Sequence, residues 1–196
     1  WMAGHISVPL YPTLAADTIA QILEHSESKL IFIGKLDGYE SMAPGIPASL
    51  PAVTLPLSPT TDHPTWASII AAHEPMKESP RREPEEMATI VYTSGSTGVP
   101  KGVMLSFGRM ALCVAEVKNI IPINHSDRML SYLPLAHVLE RFLVETSTLI
   151  YGFKVYFAES LETFVQDLNR ARPTFFASVP RLWQKFQLGV FQKNAT

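Results

Sequence analysis

The sequence predicts an α/β protein built mainly of parallel sheets flanked by helices, and three observations carry that prediction. Apolar residues at Ile19, Ile22 and Leu23 repeat with helical spacing and lead directly into the fully apolar run Lys29-Leu30-Ile31-Phe32-Ile33-Gly34. A helix feeding a strand with no polar face is what a parallel sheet covered by helices requires. The same alternation continues to the C-terminal end, and a 46% hydrophobic composition over 196 residues supports one good-sized core or two small ones.

In chain order, Val8 to Pro12 reads as a strand end broken by Pro9 and Pro12, followed by the helix around Ile19 and the strand at 29–34. Prolines at 44, 47, 51, 56 and 59 then break any long element, leaving Ala52 to Leu55 as a short strand. A short helix is expected from Thr65 with Trp66, Ile69 and Ile70, and Glu74 to Glu86 reads as a polar, solvated loop. Met110, Leu112, Cys113, Val114, Val117, Ile120 and Ile121 predict an interior helix ended by Pro122. Beyond it come a strand at 128–133, a helix at 138–150, a strand at 154–157 and a helix at 161–171 with Phe164, Val165 and Leu168 inward. A last strand is expected at 174–178, then a helix opened by Pro180 that carries Leu182, Trp183 and Phe186.

One stretch stands apart. Ala88 to Tyr92 is an apolar, β-branched run that opens into Thr93-Ser94-Gly95-Ser96-Thr97-Gly98-Val99-Pro100-Lys101-Gly102. Glycines at 95, 98 and 102 allow positive φ and close approach of a ligand, hydroxyls at 93, 94, 96 and 97 add donors, and Lys101 adds a mobile charge. Ser/Gly/Thr stretches also serve as plain linkers or turns. Three features favour an anion loop: the strand before it, Pro100 fixing φ ahead of Lys101, and the apolar run Val103-Met104-Leu105 after it. A Walker A loop is excluded by order, since Lys101 follows proline and precedes glycine. His137 follows Leu133-Pro134-Leu135-Ala136 where a strand ends, the edge at which open α/β sheets bind ligands. A lone histidine is also commonly a surface or satisfied core residue.

Tyr92 to Gly102 closely resembles the phosphate loop of the adenylate-forming enzymes, a superfamily of acyl-CoA synthetases, luciferases and peptide-synthetase adenylation domains. Ser131-Tyr132-Leu133-Pro134-Leu135-Ala136-His137-Val138-Leu139-Glu140-Arg141 and Ser178-Val179-Pro180-Arg181-Leu182-Trp183-Gln184-Lys185-Phe186 resemble the long-chain fatty acyl-CoA synthetase branch, in that branch's order. The resemblance implies part of an N-terminal AMP-binding domain over 1–196, with a subdivision near 74–86 and no C-terminal domain, so that the chain is expected to be an internal segment, inactive alone. It implies an ATP-dependent ligase that forms acyl-adenylate and pyrophosphate and then acyl-CoA, using ATP, Mg²⁺ and CoA. Thr93, Ser94, Gly95, Ser96, Thr97 and Gly98 would wrap the phosphates, Lys101 would be the charged catalytic member, Thr93 would be a metal ligand, and His137 would face the acyl group and α-phosphate. Glu140 and Arg141 are expected to orient the helix as ion partners, and Trp183 to be core or acyl-tunnel lining. Where many relatives carry His-Gly-Asn, this chain has Phe107-Gly108-Arg109, a phenylalanine expected to add only apolar packing near the loop. Adenylation of an aryl or amino acid, and a non-catalytic nucleotide-binding domain, are the alternative readings.

Charge and cysteine content narrow the class further. A net charge of −2, with Lys77, Arg81 and Arg82 set among five glutamates, argues against nucleic acid as a partner; the small-molecule substrates ATP, fatty acid and CoA are what the resemblance implies. The single cysteine, Cys113, precludes an internal disulfide and is expected to be a buried structural thiol. No apolar run is long enough for a membrane span and no cleavable signal is seen. The expected location is the cytoplasm, with peripheral membrane contact open and no basic amphipathic helix to argue for it.

Overall fold

The structure is a computed structural model that describes residues 1–94 and 98–194. Its internal contacts divide the chain into two compact units, Trp1–Ile121 with Leu133–Thr146, and Pro122–Tyr132 with Ser147–Thr196.

In the first unit, α1 (Ala16–His25) buries Ile19, Ile22 and Leu23, the residues whose spacing predicted it. Asp17 in its first turn and His25 in its last complement the helix dipole. The strand β1 (Ile31–Ile33) is joined through α2 (Tyr39–Met42) and a 3₁₀ turn (Ala43–Gly45) to β2 (Ala52–Thr54), which pairs with it in parallel, Ile31 opposite Ala52. Parallel neighbours need such a crossover because a tight turn cannot reverse the chain twice. Ile19, Leu23 and Met42 form the core here, with Leu10, Leu14, Ile31, Leu36, Ile46 and Leu50 packed against it. Each well-buried aliphatic side chain contributes roughly 1.5–3 kcal/mol. Gly45 seats directly on α1, where a Cβ would lie 2.1 Å from the Ala16 carbonyl oxygen.

The unit continues with α3 (Trp66–Ala72), whose first turn is capped by Thr65 Oγ1 accepting from Ser68 N at 3.1 Å. Next comes the antiparallel pair β3 (Met87–Ser94) and β4 (Pro100–Ser106). Ser7 joins the other edge of β3, donating its N–H to Ala88 O and accepting from Ile90 N. Ser106 then caps α4 (Phe107–Ile120) by accepting from Arg109 N. The short helix α5 (Val138–Glu140) runs into a π-helical turn, Arg141–Thr146.

In the second unit, β5 (Arg128–Ser131) and β6 (Lys154–Phe157) pair in parallel, accompanied by α6 (Ser147–Tyr151), α7 (Phe164–Ala171) and α8 (Pro180–Asn194). Leu130, Phe164 and Ala171 form its core, with Tyr132, Leu168, Phe176, Leu182 and Phe186 against them. Asp127 ties the start of β5 to the 172–178 segment: it accepts from Thr174 Oγ1 at 2.6 Å and from Asn124 N at 2.8 Å. Those two hydrogen bonds, the Thr174 hydroxyl first, hold its carboxyl below the usual aspartate range.

Several expectations are corrected. The 8–12 segment forms no strand; Ser7 alone pairs with β3. Residues 174–178 form no strand either, Thr174 N donating one bond to Arg128 O. The helix expected at 138–150 is interrupted by the π turn, where Thr146 Oγ1 caps the Arg141 carbonyl five residues back. α4 is not an interior helix: Met110 and Val114 are buried, while Leu112 is 62% exposed and Cys113 is also exposed. A helix apolar all round needs neighbours on every side, and the described residues supply one side. In α7 the buried stripe runs through Phe164 and Ala171, which leaves Val165 exposed, and Trp183 is half exposed.

Two outcomes follow from this packing. Gly45→Ala should lower unfolding free energy in urea by about 1–3 kcal/mol, because the backbone of α1 cannot yield to the added methyl. Asp127 with its depressed carboxyl contributes stability that is present above the ordinary aspartate value and lost as pH falls through the lower folded value. Thr174→Val removes the largest cause of that depression, so the acid-unfolding midpoint followed by circular dichroism should move to higher pH.

Candidate functional site

The hairpin of β3 and β4 grips the glycine-hydroxyl loop from both sides. Pairing runs Tyr92 with Gly102, Thr93 with Lys101 and Ser94 with Pro100. Pro100 stands at the first position of its strand, where a missing N–H is tolerated. Residues directly opposed in an antiparallel pair share a face, with Cβ atoms roughly 5 Å apart. The Thr93 hydroxyl and the Lys101 ammonium therefore leave the hairpin on one side, and both residues are exposed. Gly98 holds φ at +78°, a conformation that favours glycine. Gly95, Ser96, Thr97 and the side chain of Ser94, all expected as phosphate ligands, lie outside the described residues.

The opposite face of the hairpin is turned inward. Tyr92 is buried and its ring covers Gly102, where a Cβ would lie 2.8 Å from Ile90 Cγ2 and 3.2 Å from Tyr92 Cζ. Gly102 thus permits a close approach as expected, but the approaching group is the hairpin's own tyrosine. The Tyr92 hydroxyl lies 2.7 Å from His25 Nδ1 at the end of α1, with the two rings edge to face. Burial raises the Tyr92 phenol above its ordinary value, which keeps the hydroxyl protonated. A cleft of about 390 Å³ beside this contact is lined by Gln21, Glu24, His25, Tyr92, Val99 and Pro100. His25 carries no motif; its partner is 67 residues away, so sequence spacing could not single it out.

His137 stands on a separate, tightly bonded turn. Its N–H donates to Pro134 O at 2.8 Å, its carbonyl accepts from Glu140 N, and its Nδ1 accepts from Leu139 N at 3.2 Å as the cap of α5. A ring nitrogen that accepts carries no proton, so the neutral imidazole holds its hydrogen on Nε2 and presents a donor there. Glu140, 2% exposed, folds back so that Oε1 accepts from Leu133 N at 3.1 Å. Arg141, 4% exposed, pairs with Glu145 through Nη1, donates from Nη2 to Ser7 Oγ at 3.0 Å and lies over the Trp1 ring. The two charged residues expected to orient the helix are therefore buried anchors, one to the preceding loop and one to the segment beside β3.

Phe107 lies at the Ser106 end of the hairpin, seven strand residues and about 20 Å from the loop. It packs edge to face on Trp1 and beneath the Arg82 guanidinium, not near the loop as expected. Among the described residues no group of three or more His, Cys, Asp or Glu could hold a metal ion, and no helix is long and apolar enough to cross a membrane.

A family model described as AMP-binding enzyme matches residues 1–195. The chain belongs to the AMP-binding enzyme family. The peroxisomal long chain acyl-CoA synthetase 6 of Arabidopsis thaliana is 33% identical over 98% of this chain and 29% of that protein. The long-chain-fatty-acid–CoA ligase 1 of Schizosaccharomyces pombe is 41% identical over 56% of this chain and 17% of its own length. This chain therefore spans less than a third of these relatives. The crystal structure of the anthranilate CoA ligase AuaEII in complex with anthranoyl-AMP superposes with a TM-score of 0.76 at 20% identity, over 88% of this chain and 35% of that one. At that identity the likeness is one of fold, and it agrees with the predicted α/β class.

The structure brings Thr93, Lys101 and Gly98 together on one hairpin, while His137 is held by its own turn, with no hydrogen bond to the hairpin among the described residues. Arg141→Met would strip Ser7 and Glu145 of their partner inside the fold. It should cost roughly 2–3 kcal/mol of stability in denaturant unfolding.

Proposed function

We propose that this chain is the phosphate-gripping portion of an ATP-dependent long-chain fatty acid:CoA ligase. The observation that carries this reading is the register that opposes Thr93 to Lys101 at the mouth of a glycine-hydroxyl loop. It is supported by membership of the AMP-binding enzyme family and by relatives named as long-chain acyl-CoA synthetases.

The reaction suits the residues. A carboxylate oxygen of the fatty acid attacks the α-phosphorus of ATP, the bond to the bridging oxygen breaks, and pyrophosphate leaves. The CoA thiolate then attacks the acyl carbonyl and AMP departs. Charge accumulates on the β- and γ-phosphates in the first step, so loop donors and Lys101 aimed there stabilise the transition state more than the ground state. Mg²⁺, when bound, would neutralise part of that charge. The Thr93 hydroxyl, exposed opposite Lys101, would be one of the groups that hold it. Nε2–H of His137 is a hydrogen-bond donor toward an oxyanion at the α-phosphate or acyl carbonyl, a role that needs no proton transfer.

The test is ATP–pyrophosphate exchange by the full-length enzyme with a panel of fatty, aryl and amino acids. Exchange should be greatest with long-chain fatty acids; a preference for an aryl or amino acid would overturn the substrate class. Lys101→Ala should lower the exchange rate by about tenfold to a hundredfold, the equivalent of one charge-assisted hydrogen bond. An unchanged rate would remove Lys101 from the phosphate site.

A further inference from the structure

His25 belongs to no motif, yet at the end of α1 its Nδ1 lies 2.7 Å from the Tyr92 hydroxyl on the loop-bearing hairpin, beside Ser26, whose side chain also bonds Tyr92. Tyr92 is next to Thr93 and opposite Gly102, which is next to Lys101. The tyrosine ring is confined on two sides, by the Gly102 backbone that has no room for a Cβ and by the edge of the His25 ring at a centroid distance of 5.8 Å. Along an antiparallel pair, the residues flanking one cross-strand couple project from the other face. Holding Tyr92 inward therefore holds Thr93 and Lys101 outward.

We infer that the His25–Tyr92 contact is a strut that sets the angle of the hairpin mouth, making His25 a positioning residue for the nucleotide phosphates. The inference rests on the proposed function for its ligand, and on geometry alone for the strut. A rotation of the hairpin end would displace both phosphate-facing groups together, and misplacement of about 1 Å is enough to weaken a charge-assisted grip. The strut acts through Tyr92 and touches no substrate, so its loss should weaken ATP binding and leave fatty acid binding alone.

The experiment uses the full-length enzyme with His25→Ala, Tyr92→Phe, the double variant and His25→Asn, in which Oδ1 can stand where Nδ1 does. Each single loss should raise KM for ATP by about three- to tenfold, the effect of one hydrogen bond, with KM for the fatty acid and thermal midpoint little changed. The double variant should be no worse than either single one, because both remove the same contact. His25→Asn should restore most of the ATP KM, which a merely structural role for the imidazole would not predict. Unchanged KM for ATP in both single variants, or additive losses in the double one, would overturn the strut. Nitrogen-15 spectra of the imidazoles provide a readout independent of activity: Tyr92→Phe should shift the His25 Nδ1 resonance, and His25→Ala should shift the amides of Gly98, Lys101 and Gly102. If the wild-type enzyme adenylates no fatty acid, the proposed function fails while these spectra still decide the strut, and absent shifts overturn it.

Discussion

The antiparallel register of β3 and β4 is the constraint on which the site depends. Because side chains alternate across a strand, a slip of one residue would put Lys101 and Tyr92 on the same face, turning either the lysine inward or the tyrosine out to solvent. Several features oppose that slip. Tyr92 is buried over a glycine that could not be any other residue without displacing it, and the far edge of β3 is taken by Ser7, which exchanges backbone hydrogen bonds with Ala88 and Ile90. The register irregularity between Met87 and Thr89 falls at the end remote from the loop, where it leaves the pairing around Thr93 undisturbed.

A second constraint governs the 133–146 segment. Glu140 and Arg141 are adjacent, oppositely charged and both buried, an arrangement that costs desolvation and adds little net stability by itself. Its effect is directional. Glu140 reaches back to the Leu133 amide, Arg141 reaches across to Ser7 and Glu145, and between these anchors the turn has little freedom. The Leu139 amide then decides which nitrogen of His137 is protonated. A backbone donor two residues away thus converts an ambidextrous imidazole into a hydrogen-bond donor of fixed polarity. Ser7 belongs to both constraints, its backbone on β3 and its hydroxyl on Arg141, so the hairpin and the histidine turn share one point of attachment.

Local patterns were readable where one element decides its own fate. The spacing of Ile19, Ile22 and Leu23 marked both α1 and its buried side, Thr65 marked the start of α3, and the proline at 180 marked the start of α8. The two apolar runs around the loop marked strands, and Gly98 takes the positive φ that its residue type permits. Patterns failed where the outcome depends on what lies opposite. α4 has apolar residues around much of its circumference, but only the Met110 and Val114 side meets described chain. The 174–178 run has strand composition, yet it finds a single backbone bond to β5. The 138–150 stretch has uniform helical character, yet Arg141–Thr146 takes a π-helical turn in which the Thr146 hydroxyl donates to the Arg141 carbonyl.

By itself the sequence determined the α/β class, the helix of Ile19, Ile22 and Leu23 and the strands on either side of the glycine-hydroxyl segment at 93–102, because those follow from composition, local periodicity and residue type. Tertiary structure decided which face Lys101 shares, which nitrogen of His137 donates, and that His25 meets Tyr92. These depend on strand register and on contacts between residues far apart in the chain, and neither is encoded in the spacing of any one segment.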